Sequence, residues 1–207
     1  MEFVSANPSV IRSIKQRVLL DAWLRAARRR APLPAISDFR PDGLADELPE
    51  MMTFEVEGTD ETARFFITQE GARLATAYGR DDLDVSARVN RYLDVAIDPV
   101  RYARVLPCYR ACVSRKRPTY SIARVHDPDG KEVSFERLLL PFGAGADVEE
   151  IIGSYKAISI EGGFKVENLM GLRADTQPVR LLSAVIDLDL APTPQTARVP
   201  DDIVEAD

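Results

Sequence analysis

Apolar and polar positions alternate most tellingly over residues 131–142, K-E-V-S-F-E-R-L-L-L-P-F. Val133 and Phe135 fall on one face of a strand and Glu132, Ser134 and Glu136 on the other, while Leu138, Leu139 and Leu140 are apolar on both. A strand apolar on both faces is covered on both, which calls for helices packed against its sheet. Just upstream, T-Y-S-I-A-R-V-H at 119–126 runs into Asp127-Pro128-Asp129-Gly130. Proline presets the φ of a turn and glycine accepts a positive φ, so the two runs form a hairpin.

Helical spacing marks the first part of the chain. After the start signal Asn7-Pro8-Ser9, the residues Ile11, Ile14, Val18 and Ala22 recur on one stripe, widened by Leu19, Trp23 and Ala27. This predicts a helix over residues 8–30, ended by Pro32 and Pro34. Its cationic end, R-A-A-R-R-R, suits the negative pole of a helix dipole, with an acidic docking surface as the alternative reading.

Residues 37–50 read as loop with a short helix at 41–48. Strands at 51–57 and 63–70, joined by Gly58-Thr59-Asp60, form a first hairpin. A short helix follows at 71–78, closed by Gly79. Residues 80–97 carry mixed signals.

Asp98-Pro99 is an N-cap with a first-turn proline and opens a helix to about residue 116, its apolar face formed by Tyr102, Leu106, Tyr109 and Val113. Pro107 lies deep inside it and predicts a kink or a restart near Leu106. A strand at 150–160, a short helix at 164–172 and an added strand at 179–190 follow, then a proline-rich acidic end expected to be mobile. The division expected is an amphipathic helix and linker at 1–34, a domain at 35–162 and an extension at 163–207.

Composition narrows the classes. At 207 residues, 45% hydrophobic and 29% charged, the chain has the size and content of one well-cored domain. No run approaches the length of a membrane span, and residues 1–10 lack the basic flank and apolar core of a secretion signal, so a cytoplasmic protein is expected. A net charge of −6 argues against nucleic acid, which requires a surplus of positive charge.

The spaced motifs L-L-D-A-W-L-R-A-A-R-R-R-A-P-L-P (19–34), F-F-I-T-Q-E-G-A-R-L-A-T-A-Y-G-R-D (65–81), S-R-K-R-P (114–118) and F-E-R-L-L-L-P-F (135–142) resemble, in this order, the short stand-alone PAS proteins of bacteria. The resemblance covers about residues 19–160. It implies an α+β PAS fold: a five-stranded antiparallel sheet with helices on one face and an N-terminal helix packed or dimerising outside the core. It also implies a sensory or adaptor module in signal transduction, homodimeric through that helix, which binds a small ligand between the sheet and the central helices and acts on a partner signalling protein. Flavin-binding relatives carry a reactive cysteine in a stretch comparable to 78–94, where this chain has none. Haem-binding relatives present a histidine from the long helix, whereas the only histidine here, His126, falls at the hairpin turn. Neither flavin nor haem is expected.

Candidate chemistry centres on Arg137. Alternation gives it the face of Val133, Phe135 and Leu139, where a guanidinium needs a carboxylate, a carbonyl or a ligand. The readings are an internal ion pair, a bulge that turns it outward, or an anchor for an anionic ligand. Phe66, Leu74, Tyr78, Tyr92, Leu106, Tyr109, Tyr120 and Phe135 are candidates to line a pocket with it, the alternative being plain core.

Ile11, Ile14, Val18 and Ala22 are the candidate dimer face. Cys108 and Cys112 share a helical face; small buried hydrophobes, a redox thiol and half a metal site are the readings weighed, and no metal site is expected from one histidine. No nucleophile, base and orienter can be assembled, so the expected protein is not an enzyme. A ligand-free interaction scaffold is the alternative, and a small-molecule enzyme the remote one.

Overall fold

The computed structural model describes residues 2–27, 33–78, 88–159, 162–167, 169–170, 177–187 and 189–190. Expectations that fall on the Arg28–Arg29–Arg30 cluster, on a Gly79 cap, on 80–87 and on the acidic end after 190 lie outside these residues.

The strand with the double apolar pattern is the interior ribbon of the molecule. Strand β6 (Glu132–Phe142) pairs antiparallel with β5 (Thr119–His126) on one side and with β7 (Glu150–Ile158) on the other. The β5–β6 turn is the expected one: the Gly130 N–H donates to the Asp127 carbonyl over 2.9 Å, and Gly130 takes a φ of +82°. The Asp127 carboxylate accepts the N–H groups of Asp129, Lys131 and Lys165, which hold its pKa below the usual range.

Outward from this centre, β2 (Met51–Glu57) pairs with β7, β3 (Arg64–Glu70) with β2, and the two-residue β4 (Arg91–Tyr92) with β3. On the opposite edge β8 (Val179–Ile186) pairs with β5, and β1 (Val4–Ala6) pairs with β8 in parallel. The sheet therefore has eight strands in the order β1-β8-β5-β6-β7-β2-β3-β4, and it is mixed. This overturns the expected five-stranded antiparallel PAS sheet. The parallel pair comes from a three-residue strand at the start of the chain meeting one near its end, a contact too short and too distant in sequence to leave a periodic trace.

Helices cover both faces, not one. On the first face lie α3 (Ala72–Tyr78), α4 (Leu93–Ala96) and α5 (Pro99–Arg115). Asp98 caps α5 by accepting the Val100 and Arg101 N–H groups, and the helix runs without a restart through Pro107. On the second face lies α1 (Ile14–Ala27), preceded by a separate 3₁₀ turn at Pro8–Val10. The single helix expected over 8–30 is thus two pieces.

The α1 helix buries Gln16, Leu19, Leu20, Ala22, Trp23 and Ala26, a stripe rotated from the one expected. Its partners are the other side of β6 and neighbouring strands: Tyr120, Ile122, Leu138, Leu140, Phe142 and Ile152. Trp23 donates its indole N–H to the Pro141 carbonyl over 2.7 Å. The proposed dimer face is split accordingly. Ile11 and Ala22 are buried in this chain's own core, Val18 is half-buried, and Ile14 alone is largely exposed, at 72%.

Two shorter elements replace the helix expected at 41–48: α2 (Leu44–Glu47) and a 3₁₀ turn at Leu48–Glu50. No described residue of 164–172 is helical; 164–166 have no regular secondary structure and Glu167, Leu169 and Met170 are turn. No described helix is long and apolar enough to cross a membrane.

Candidate ligand-binding site

Strand alternation places Val133, Phe135, Arg137 and Leu139 under α5, and the register adds a polar row across three strands. Arg137 lies opposite Ser121 on β5 and opposite Tyr155 on β7. From above, α5 contributes Tyr109, whose hydroxyl stands 2.6 Å from that of Tyr155. Tyr109 is fixed edge-on to Phe54 and tilted to Phe65, each with ring centroids 5.1 Å away. Burial pushes both phenols well above their ordinary pKa, so they act as neutral hydrogen-bonding groups.

Tyr155 reaches Tyr109 because Gly153, two residues earlier on the same face, has no side chain. A Cβ there would stand 2.7 Å from the Tyr155 hydroxyl and 2.8 Å from its ring.

Arg137 is 7% exposed. Neither the ion pair nor the outward turn is found among the described residues: no carboxylate lies within salt-bridge distance, and its Nε has no hydrogen-bond partner. What faces the guanidinium instead is aromatic, the Tyr155 ring centroid at 5.6 Å and that of Tyr109 at 5.9 Å. Glu136, next in sequence, points to the opposite side of the sheet and takes a hydrogen bond from Tyr120.

Beside Arg137 opens a cavity of about 430 Å³, within the range in which small molecules bind. Four of the nine expected residues line it: Tyr78, Tyr109, Phe135 and Arg137. Leu74 is buried in the neighbouring core, and Leu106 packs against that core without reaching the cavity. Phe66 and Tyr92 pair with each other, with ring centroids 5.3 Å apart, and the Tyr92 hydroxyl donates to Glu57 on an exposed edge. Tyr120 lies across the sheet, because its register partner is Leu138 rather than Arg137.

Sequence reasoning missed the arginines of the wall. Arg101 and Arg104 reach the cavity from α5, on the same helical face as Val105 and Tyr109. The spacing 101, 104, 105, 108 and 109 is a legible helical stripe, hidden by the assumption that an inward face is apolar. Arg101 donates to the Tyr78 carbonyl, and Arg180 of β8 to the Arg104 carbonyl. Arg88 is paired with Glu70 at 3.1 Å, both side chains nearly inaccessible, and burial raises the Glu70 pKa. The apolar wall includes Met52, Leu93, Ile97 and Met170.

The cysteines belong to the core. Both thiols are free and buried, burial pushes the Cys112 thiol strongly up, and its Sγ donates to the Leu139 carbonyl over 3.9 Å. Such a thiol is a poor nucleophile. Among the described residues no group of His, Cys, Asp and Glu could hold a metal ion.

A second polar cluster lies under α1. The Arg12 N–H donates to the Tyr120 hydroxyl over 3.2 Å, Tyr120 donates to Glu136 over 2.7 Å, and Gln16 donates to the Ser154 carbonyl over 3.0 Å. Burial raises the Glu136 pKa. Nearby, Glu47 bridges Lys15 at 2.8 Å and Lys156 at 2.6 Å, and Lys156 also bonds Glu50. Burial pushes Glu47 upward, but the two lysines outweigh it and hold its pKa below the usual value.

No protein-family model matches this chain, and no curated protein sequence matches it.

Proposed function

We propose that this protein is a non-catalytic sensory or adaptor module of the cytoplasm, which takes up a small apolar or anionic metabolite in the cavity between α5 and the sheet and signals through contact with another protein. One observation carries the reading: a buried guanidinium, Arg137, faces a cavity of ligand size and has no carboxylate partner among the described residues. A folded chain bears the cost of such a group where a ligand supplies the missing acceptor. The surrounding chemistry favours binding over turnover, since the phenols are held protonated and both thiols are buried. His126 sits at the hairpin end of β5, opposite Glu132, and does not line the cavity. Self-association through α1 has Ile14 and Val18 to work with, since Ile11 and Ala22 are spent inside the protomer.

Native mass spectrometry of the full chain tests the proposal. A co-purifying small molecule, lost on denaturation and diminished in Arg137→Leu, is the expected result. A bare protein mass, with no thermal shift across a metabolite panel, would leave a ligand-free scaffold.

A further inference from the structure

The groups around Arg137 say what kind of head group the cavity takes. Tyr109 and Tyr155 share one hydrogen bond, so one phenol donates and the other keeps its own O–H. Neither hydroxyl has a further partner among the described residues. Ser121, beside Arg137 on β5, can donate as well. With the Arg137 Nε–H left over, the spare capacity here is a set of donors beside one cation.

Among the described residues the wall's one carboxylate is Glu70, which has an oxygen without a partner. It belongs to β3, three strands from β6 in the sheet order, or roughly 14 Å at the usual strand spacing. It is already paired with Arg88 and does not serve as the counter-ion of Arg137.

Charge decides between the candidate anions. Among the described residues Arg137 is the one cation beside these donors; Arg180 is exposed, Arg104 is half-buried, and Arg101 is bonded to the Tyr78 carbonyl. A carboxylate carries one charge and two oxygens that match the guanidinium fork. A phosphate dianion would leave a second charge uncompensated among Phe135, Leu93 and Met52. The cavity as a whole, about 430 Å³, has room for about 14 water-sized groups at roughly 30 Å³ each, and its lining away from Arg137 includes the apolar Met52, Leu93, Ile97 and Met170.

We infer that the cavity selects a monocarboxylic acid with an apolar aliphatic or aryl body, its carboxylate on Arg137, Ser121 and the Tyr109 O–H left free when Tyr155 donates, and its body along Phe135, Leu93 and Met52. This rests on the reading of the cavity as a ligand site.

Calorimetric titration of the full chain with octanoate, 4-phenylbutyrate, octanamide and inorganic phosphate tests it, alongside Arg137→Leu and Arg137→Lys. Far-ultraviolet circular dichroism and the fluorescence of the single tryptophan check that each variant is folded. At least one carboxylate should bind and octanamide should bind at least ~30-fold more weakly, while phosphate neither binds nor competes. Arg137→Leu should lower the carboxylate affinity about a hundredfold, and Arg137→Lys should restore part of it.

Equal binding of octanamide, competition by phosphate, or carboxylate binding that survives Arg137→Leu each overturns the head-group assignment and leaves the cavity a ligand site. If Arg137→Leu does not fold, Arg137→Lys decides: affinity unchanged from the native protein removes the fork contact and the assignment with it. Silence from every probe, with no co-purifying molecule, overturns both readings.

Discussion

Arg137 and Tyr155 are register partners on adjacent strands, and the guanidinium carbon of the first stands 5.6 Å from the ring centroid of the second. A cation there gains a weak attraction to the ring and little else, which is small against the cost of leaving water. In ligand-free protein Arg137→Leu should therefore raise the unfolding free energy by about 1–3 kcal/mol. Urea denaturation measures this. A loss of more than about 1 kcal/mol would mean that the side chain is satisfied by the fold itself.

Gly153 should be intolerant of a side chain. Gly153→Ala forces the Tyr155 ring away from Tyr109, since the new Cβ meets the ring and hydroxyl at 2.7–3.0 Å. We expect a loss of about 1–3 kcal/mol, together with weaker ligand binding. Calorimetric unfolding and a titration measure both, and a variant of native stability would contradict the packing described.

Two buried carboxyls under α1 give stability opposite dependences on pH. Glu136 has a raised pKa, so the native state holds its proton longer than the unfolded chain does. Its contribution declines as pH rises from the unfolded value through the higher folded one. Glu47 has a lowered pKa. Its contribution is present above the unfolded value and is lost as pH falls through the lower folded one. Urea unfolding across acid to neutral pH should show Glu136→Gln losing the first slope and Glu47→Gln losing the second. Curves for either variant that run parallel to the native one would contradict the assignment.

Because α1 is core, its removal should not yield a folded monomer. A chain without residues 1–27 exposes Tyr120, Ile122, Leu138, Leu140 and Phe142 and should fail to fold cooperatively. A milder change, Trp23→Phe, leaves the Pro141 carbonyl without its donor and should cost about 1–2 kcal/mol by urea denaturation. A truncated chain that unfolds cooperatively would show α1 to be an appendage.

The residues that were legible in the chain obey local rules. Alternation alone placed Phe135 and Arg137 inward on one face, and Asp98-Pro99 announced the start of α5. What escaped depends on register or distance. Tyr120 changes face according to whether it opposes Leu138 or Arg137, and no local pattern says which. In F-F-I the residues Phe65, Phe66 and Ile67 are all apolar, so alternation cannot show that Phe66 is the one turned away from the core. The parallel pairing of β1 with β8 joins the two ends of the described chain. The buried stripe of α1 was misjudged because Gln16, polar in composition, points inward to the Ser154 carbonyl.

The most direct measurement is nuclear magnetic resonance of the full chain labelled with ¹⁵N-arginine, followed during titration with octanoate or 4-phenylbutyrate. The Nε–H signal of Arg137, assigned by its loss in Arg137→Lys, should move further than any other arginine signal and become protected from exchange with water. A saturated complex in which that signal stays still while those of Arg104 or Arg180 move would put the ligand elsewhere and contradict the role given to Arg137.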